Sequence, residues 1–245
     1  MVCRSILNIL ALDTSTEWCS AALWLDGRVL TSEEHAGQRH SELILAMVDT
    51  LLSEAGIVLT ACDAIAFGAG PGSFTGLRIA CGVAQGLGFA TNLPLVGIGT
   101  LPAVAQASGA ERVVVCLDAR MGEVYAAAFE RTGSDWSTVR SPCLCSPAAA
   151  PEVDGAGWTG AGSGFSAYSA ALQERYADHL AELRPDLHPH ARDIASLAAD
   201  RVRAGLAVPA EQAHPLYLRD RVALTVSERQ AIKAQQNAAA AATSR

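Results

Sequence analysis

The sequence predicts an α/β fold built as two similar lobes, and three observations predict it. Apolar runs of strand length alternate with segments whose apolar residues recur at helical spacing. Half of the 245 residues are hydrophobic but only 5% are aromatic, which suits layers packed through Ala, Leu and Val. The third observation is a repeated layout. The run from Leu12 through Asp13 to Trp24 aligns without a gap on the run from Leu117 through Asp118 to Phe129, at an offset of 105 residues. Each copy is a strand ending in Asp, a tight turn and a second strand, with Ala-Ala and an aromatic in register, as an internal duplication would leave them.

Ile6–Leu12 is predicted to be a buried strand. It contains Asn8 and ends on Asp13 with no small-residue cleavage site, so it reads as a strand and not as a signal peptide. Cys19–Leu25 is a second strand, Asp26-Gly27 a hairpin turn, and Val29–Glu33 a third strand. His40 and Ser41 open a helix that reaches Ala55 and stops at Gly56. Its apolar residues at 44, 47, 48, 51, 52 and 55 make one stripe, with Leu43 and Leu45 off it. Ala64–Phe67 is a strand that feeds a glycine-rich loop, after which Ser73 or Thr75 caps a helix to about Ala90. Gly76, Gly82, Gly86 and Gly88 lie inside that helix. Interior glycine costs about 1 kcal/mol relative to alanine, so something is expected to come very close to it.

Asn92-Leu93-Pro94 ends the helix, and Leu95–Ile98 is a strand. Val113–Leu117 and Glu123–Phe129 form the second copy of the hairpin. Residues 131–164, rich in Ser, Pro, Gly and Ala, read as loops with short strands. Helices are expected at about 166–181 and 193–204, an extended segment at 215–219, and a tail beyond. The expected lobes are 1–100, completed by 192–222, and 101–191, with a flexible tail at 223–245.

Composition narrows the function. Eighteen basic residues stand against 25 acidic ones, for a net charge of −7, and no Lys or Arg run is present. A chain that grips RNA by itself usually shows a basic face, so any nucleic acid is expected to be held by a partner. Seven cysteines at irregular spacing, without a Cys-x-x-Cys pair, read as core thiols in a reducing cytoplasm. No segment approaches the ~20 apolar residues of a membrane span. His35, His40, His179, His188, His190 and His214 lack metal-ligand spacing. Neither a Walker loop nor a Gly-x-Ser-x-Gly elbow is present.

Two motifs carry a family resemblance. The run Gly68-Ala69-Gly70-Pro71-Gly72-Ser73-Phe74-Thr75-Gly76-Leu77-Arg78-Ile79-Ala80, together with Asp13-Thr14-Ser15-Thr16, resembles the signature of the TsaB family of threonylcarbamoyladenosine biosynthesis proteins. The resemblance extends from Ile6 to about Arg219 and is most specific at 68–80. It implies two actin-like (ribonuclease H-like) lobes, the first hairpin of which meets nucleotide phosphates in other members of the fold. Asp13, Ser15 and Thr16 are then the candidates for phosphate or a magnesium-bound water, with ATP or ADP and Mg at a partner interface as the implied cofactors. The plainer alternative is a turn satisfied by its own side chains.

The related TsaD family carries a His-x-x-x-His metal motif in a segment similar to Pro94–Val104. Its two slots hold Thr100 and Val104 here, which implies that this metal is lost and that the chain has no catalytic residues of its own. The resemblance further implies docking on a TsaD-like transferase through the helices at 40–55 and 75–90. The implied face takes His40, Leu43, Ile44, Met47, Val48 and Leu51 from the first helix. From the second it takes Gly72, Phe74, Thr75, Leu77, Arg78, Ala80, Cys81 and Ala84. A TsaE-like ATPase would join the assembled pair, a homodimer would use the same surface, and tRNA would be reached only through the complex. The implied role is a non-catalytic scaffold in forming N6-threonylcarbamoyladenosine at A37 of tRNA. The rivals are a stand-alone ATPase or small-molecule kinase of this fold, and a hydrolase for which no nucleophile or metal set is evident.

Overall fold

In the computed structural model, which describes residues 7–133 and 135–219, two five-stranded sheets share one topology. In the first, β1 (Asn8–Asp13), β2 (Trp18–Leu25) and β3 (Arg28–His35) form an antiparallel meander. On the other side of β1, β4 (Ala64–Gly70) and β5 (Leu95–Gly99) add in parallel, giving the order β3-β2-β1-β4-β5. The second sheet repeats this with β6 (Arg112–Asp118), β7 (Val124–Thr132), β8 (Asp135–Cys145), β9 (Trp158–Ala161) and β10 (Leu180–Arg184), in the order β8-β7-β6-β9-β10. Asp13 and Asp118 therefore end equivalent strands, as the duplicated layout predicts.

The helices are α1 (His40–Ala55), α2 (Phe74–Thr91), α3 (Thr100–Ser108), α4 (Gly164–Ala167), α5 (Ser169–Arg175) and α6 (Ala191–Arg203). Period-two alternation along β1 divides the first lobe into two layers. Leu10 and Leu12 face α1 and α2, where Ile44, Met47, Val48, Leu51, Ala80, Cys81 and Ala84 pack on them. Ile9 and Ala11 face α6, which meets the sheet through Ala191, Ile194, Ala195, Ala198 and Ala199. In the second sheet, Val114, Cys116 and Ala126 pack under Phe165, Leu172 and Tyr176 of the α4–α5 region. Val113, Val115 and Leu117 pack under Leu101, Val104 and Ala105 of α3. The same α3 places Ala103 in the layer beneath α6, so it belongs to both cores.

Local signals explain most boundaries. Gly56 ends α1 in the left-handed region at φ 67°, and Asn92 does so for α2 at φ 57°. The Ser73 side chain caps α2 by accepting from Gly76 N. Three elements add to expectation or differ from it. Helix α3, for which no expectation was set, follows β5 without a loop, begins after Gly99 with no side-chain cap and ends at Gly109. An 11-residue edge strand, β8, occupies part of the expected loop region, and its exposed positions hide the alternation that buried strands show. As an edge strand it accommodates Pro142. The helix expected at 166–181 breaks at Tyr168, where φ is −130°, and ends at Tyr176, after which the chain becomes β10. The expected tail at 223–245 lies outside the described residues, as does Cys3.

Candidate functional site

A cleft of about 1070 Å³ opens between the lobes. Its walls are the β1–β2 turn, the start of α2, the β6–β7 turn and residues 216–219. The β1–β2 turn was expected to offer Asp13, Ser15 and Thr16 to a phosphate. Asp13 is fully buried and does not line the cleft. Its Oδ1 accepts from Ser15 N at 3.1 Å and from Ser15 Oγ at 2.9 Å. Its Oδ2 has no hydrogen-bond partner among the described residues and points at Gly68, where a Cβ would lie 1.9 Å away. Burial drives the Asp13 carboxyl from its ordinary 3.8 to about 7, against the pull of the two Ser15 hydrogen bonds.

Other groups of this turn are hydrogen-bonded too. Thr14 Oγ1 donates to Gly76 O at 2.7 Å, and Ser15 O accepts from Ser73 N at 2.7 Å. Thr16 Oγ1 accepts from Trp18 N at 3.2 Å. The glycine-rich loop lies directly on the turn: a Cβ on Gly72 would sit 2.6 Å from Ser15 O, and one on Gly76 1.8 Å from Thr14 O. The close approach expected from the helix glycines is therefore made, at Gly76, by this chain's own hairpin. Of the three residues expected to meet a phosphate, Ser15 and Thr16 line the cleft, whereas Asp13 is buried behind them and is held by Ser15.

The equivalent β6–β7 turn is likewise tied up. Asp118 accepts from Arg120 N at 2.8 Å and from the Tyr168 hydroxyl at 3.0 Å, and pairs with the Arg120 guanidinium at 3.2 Å. Thr100 and Val104, at the slots where the related family has histidines, are buried on α3. Thr100 Oγ1 donates to Pro71 O, so this position anchors the glycine-rich loop. Among the described residues, no group of three His, Cys, Asp or Glu is placed to hold a metal ion.

Across the mouth of the cleft runs the segment 216–219. Leu216 N donates to Ala69 O at 2.6 Å, and the Tyr217 ring lies 5.3 Å from that of Phe74. Arg78 stacks 3.8 Å from the Phe74 ring centre and donates from Nε to the Tyr217 hydroxyl at 3.1 Å. On the second lobe, Arg219 donates to Ala119 O at 3.1 Å and pairs with Glu123 at 2.7 Å.

The residues expected to face a partner separate into two sets. Ile44, Met47, Val48, Leu51, Leu77, Ala80, Cys81 and Ala84 are buried in the first lobe's own core region, and His40 is buried against the β1–β2 turn. The apolar stripe that marks each helix packs on its own sheet, so within this chain these side chains lie beneath the helices' outward side. Thr75 and Arg78 are exposed, while Gly72, Leu43 and Phe74 are half-buried. The outward side of the pair also carries Leu45, 48% exposed, and Phe89, 60% exposed. Gly82 and Gly86 are exposed there, with nothing within 4 Å of where a Cβ would stand. Leu45, Gly82 and Gly86 were detectable in the sequence as residues off the stripe or as unexplained helix glycines; Phe89 gave no such signal.

Comparisons with known proteins agree with this geometry. A family model described as TsaD, tRNA N6-adenosine threonylcarbamoyltransferase, matches residues 31–226. The tRNA threonylcarbamoyladenosine biosynthesis protein TsaB of Escherichia coli K12 is 38% identical over 226 residues, covering 89% of this chain and 96% of that protein. The TsaB of Haemophilus influenzae is 38% identical over 229 residues, covering 88% and 95%. The solved structure of YeaZ from Pseudomonas aeruginosa superimposes with a TM-score of 0.80 at 44% identity, covering 87% of this chain and all of that one. With a repeated actin-like sheet topology and full-length relatives of this similarity, the chain belongs to the TsaB family of tRNA threonylcarbamoyladenosine biosynthesis proteins.

Proposed function

We propose that this chain is the non-catalytic subunit that holds a TsaD-like transferase in its working arrangement while that partner forms N6-threonylcarbamoyladenosine at A37 of tRNA. One observation carries the reading. The α1–α2 pair leaves Leu45, Phe89, Gly82 and Gly86 exposed, while the carboxylates of Asp13 and Asp118 are held by hydrogen bonds within their own lobes. Exposed glycines let another helix approach closely, and exposed Leu and Phe supply the apolar contact. We assign the docking face to this outward side. Arg78, Thr75, Phe74, Gly72 and Leu43 form its margin.

The net charge of −7 suits a subunit that leaves tRNA to its partner. A TsaE-like ATPase would join the pair once assembled, and the same face would allow a homodimer when the partner is absent. No described helix is long and apolar enough to cross a membrane, which is compatible with a cytoplasmic complex. The test is co-purification with a TsaD-like transferase, followed by a tRNA modification assay with this chain present or omitted. Loss of modification on omission is expected. Transfer at full rate without the chain would remove the scaffold role. Leu45→Glu, at an exposed site, is expected to abolish co-purification while leaving the fold intact.

A further inference from the structure

The β1–β2 turn is buried at Asp13, Thr14 and Ser15 and is held by hydrogen bonds on two sides. It touches both helices of the docking face. Toward α2, Thr14 Oγ1 reaches Gly76 O and Ser15 O receives Ser73 N, each at 2.7 Å. Toward α1, His40 Nε2 donates to Thr16 O at 2.9 Å, and Glu17 O accepts from Ala36 N and Gly37 N just ahead of that helix. Helix α1 has no side-chain N-cap, and the His40 side chain ties its first residue to the β1–β2 turn. Among the described residues, no hydrogen bond or ion pair runs directly from α1 to α2.

We propose that Thr14 and His40 are positioning residues for partner docking: through the turn 14–16 they clamp the first turns of α1 and α2 to each other and so fix the geometry of the outward face. This rests on the docking reading above and adds to it a role for the hydrogen bonds of the 14–16 turn. The two helices otherwise meet through apolar packing, with each other and with the sheet beneath, which is less directional than hydrogen bonds. Thr14→Val keeps the volume and removes the bond to Gly76 O. His40→Leu removes the bond to Thr16 O. Thr14→Ser and His40→Gln keep a donor at each place.

Three quantities decide the matter in the full chain: thermal stability, affinity for a purified TsaD-like transferase, and hydrogen exchange of the first-turn amides of α1 and α2. Val114→Ala, in the core of the second sheet, serves as a control of comparable destabilisation. Thr14→Val and His40→Leu are expected to weaken binding about tenfold, the size of one buried hydrogen bond lost from a positioned interface, with the serine and glutamine variants within about twofold of wild type. Each disruptive variant should also quicken exchange in the first turn of the helix it does not touch. Val114→Ala should do neither. If Thr14→Val fails to fold, His40→Leu carries the same comparison from the other side. Wild-type affinity and exchange in His40→Leu would overturn the clamp, as would equal loss of affinity in Val114→Ala. If wild-type chain fails to bind the transferase at all, the docking reading falls, and cross-helix exchange alone still decides whether the turn couples the two helices.

Discussion

Asp13 holds a carboxyl where a carboxylate is costly. Its folded value near 7 stands above its ordinary 3.8, so the native state holds a proton that the unfolded chain releases between those values. The stabilisation this brings is complete below about 4 and is lost as pH rises through about 7. His190 works in the other direction: burial lowers it from 6.5 to about 4, and its contribution is present above 6.5 and lost as pH falls toward 4. The two slopes oppose each other, so the wild-type profile understates both. Asp13→Asn isolates one of them. Denaturant titrations of both proteins from pH 4 to 8 should show the variant gaining on wild type as pH rises, by at most about 4 kcal/mol for a shift of this size. A difference that does not change with pH would mean that Asp13 does not titrate in this window. At Gly76 the expectation is simpler. A methyl group would meet the Thr14 carbonyl, which is backbone and cannot swing aside. Gly76→Ala should cost at least about 3 kcal/mol in a chemical unfolding experiment, or prevent folding.

On the scale of the element, α2 contains glycines of two kinds. Gly76 and Gly88 are pressed against the rest of the chain, whereas Gly82 and Gly86 face open space. Replacing Gly82 or Gly86 with alanine should raise the stability of the isolated chain by about 0.5–1 kcal/mol, because alanine is the better helix former. The same change should weaken co-purification with the transferase, since the new methyl stands on the docking side. Thermal melts and pull-downs on one set of variants would show the opposed effects; a gain in both would deny that the glycines serve docking. This contrast explains how much was legible beforehand. The apolar period at 44, 47, 48 and 51 located α1 well, and Gly56 marked its end. Periodicity reports only that a face is buried, not by what, and the partner face expected there rests on the family resemblance alone. Strand β8 is longer than the short strands expected there, and β10 fell inside an expected helix, because edge strands exposed on one side leave no clean alternation; α3 is short, begins without a polar cap and carries Pro102 in its first turn. The hairpin at 13–16 was visible as a motif, but its closure by Gly72 and Gly76 is a long-range contact that local spacing does not encode.

For the molecule as a whole, three features join the lobes. Helix α3 lies in both cores, the segment 216–219 bonds to Ala69 on one side and to Ala119 and Glu123 on the other, and His188 reaches Glu33 of β3 at 2.8 Å. Arg219→Ala removes one of these ties. The pair is partly solvated, so the loss should be modest, about 1 kcal/mol, and reduced at high salt. Calorimetry of the unmodified chain should show a single heat-absorption peak with equal calorimetric and van't Hoff enthalpies. Two peaks would mean that the halves melt separately. The shared helix also limits how the protein can be divided in the laboratory. A fragment ending at Gly99 would lose α6, baring Ile9, Ala11 and Val96, while the complementary piece would carry α3 and α6 with Ile194, Ala195 and Ala198 stripped of the sheet they cover. Neither half would be expected to remain in solution, so anyone wishing to study the docking helices by themselves must express the intact polypeptide and silence its other half by point substitution.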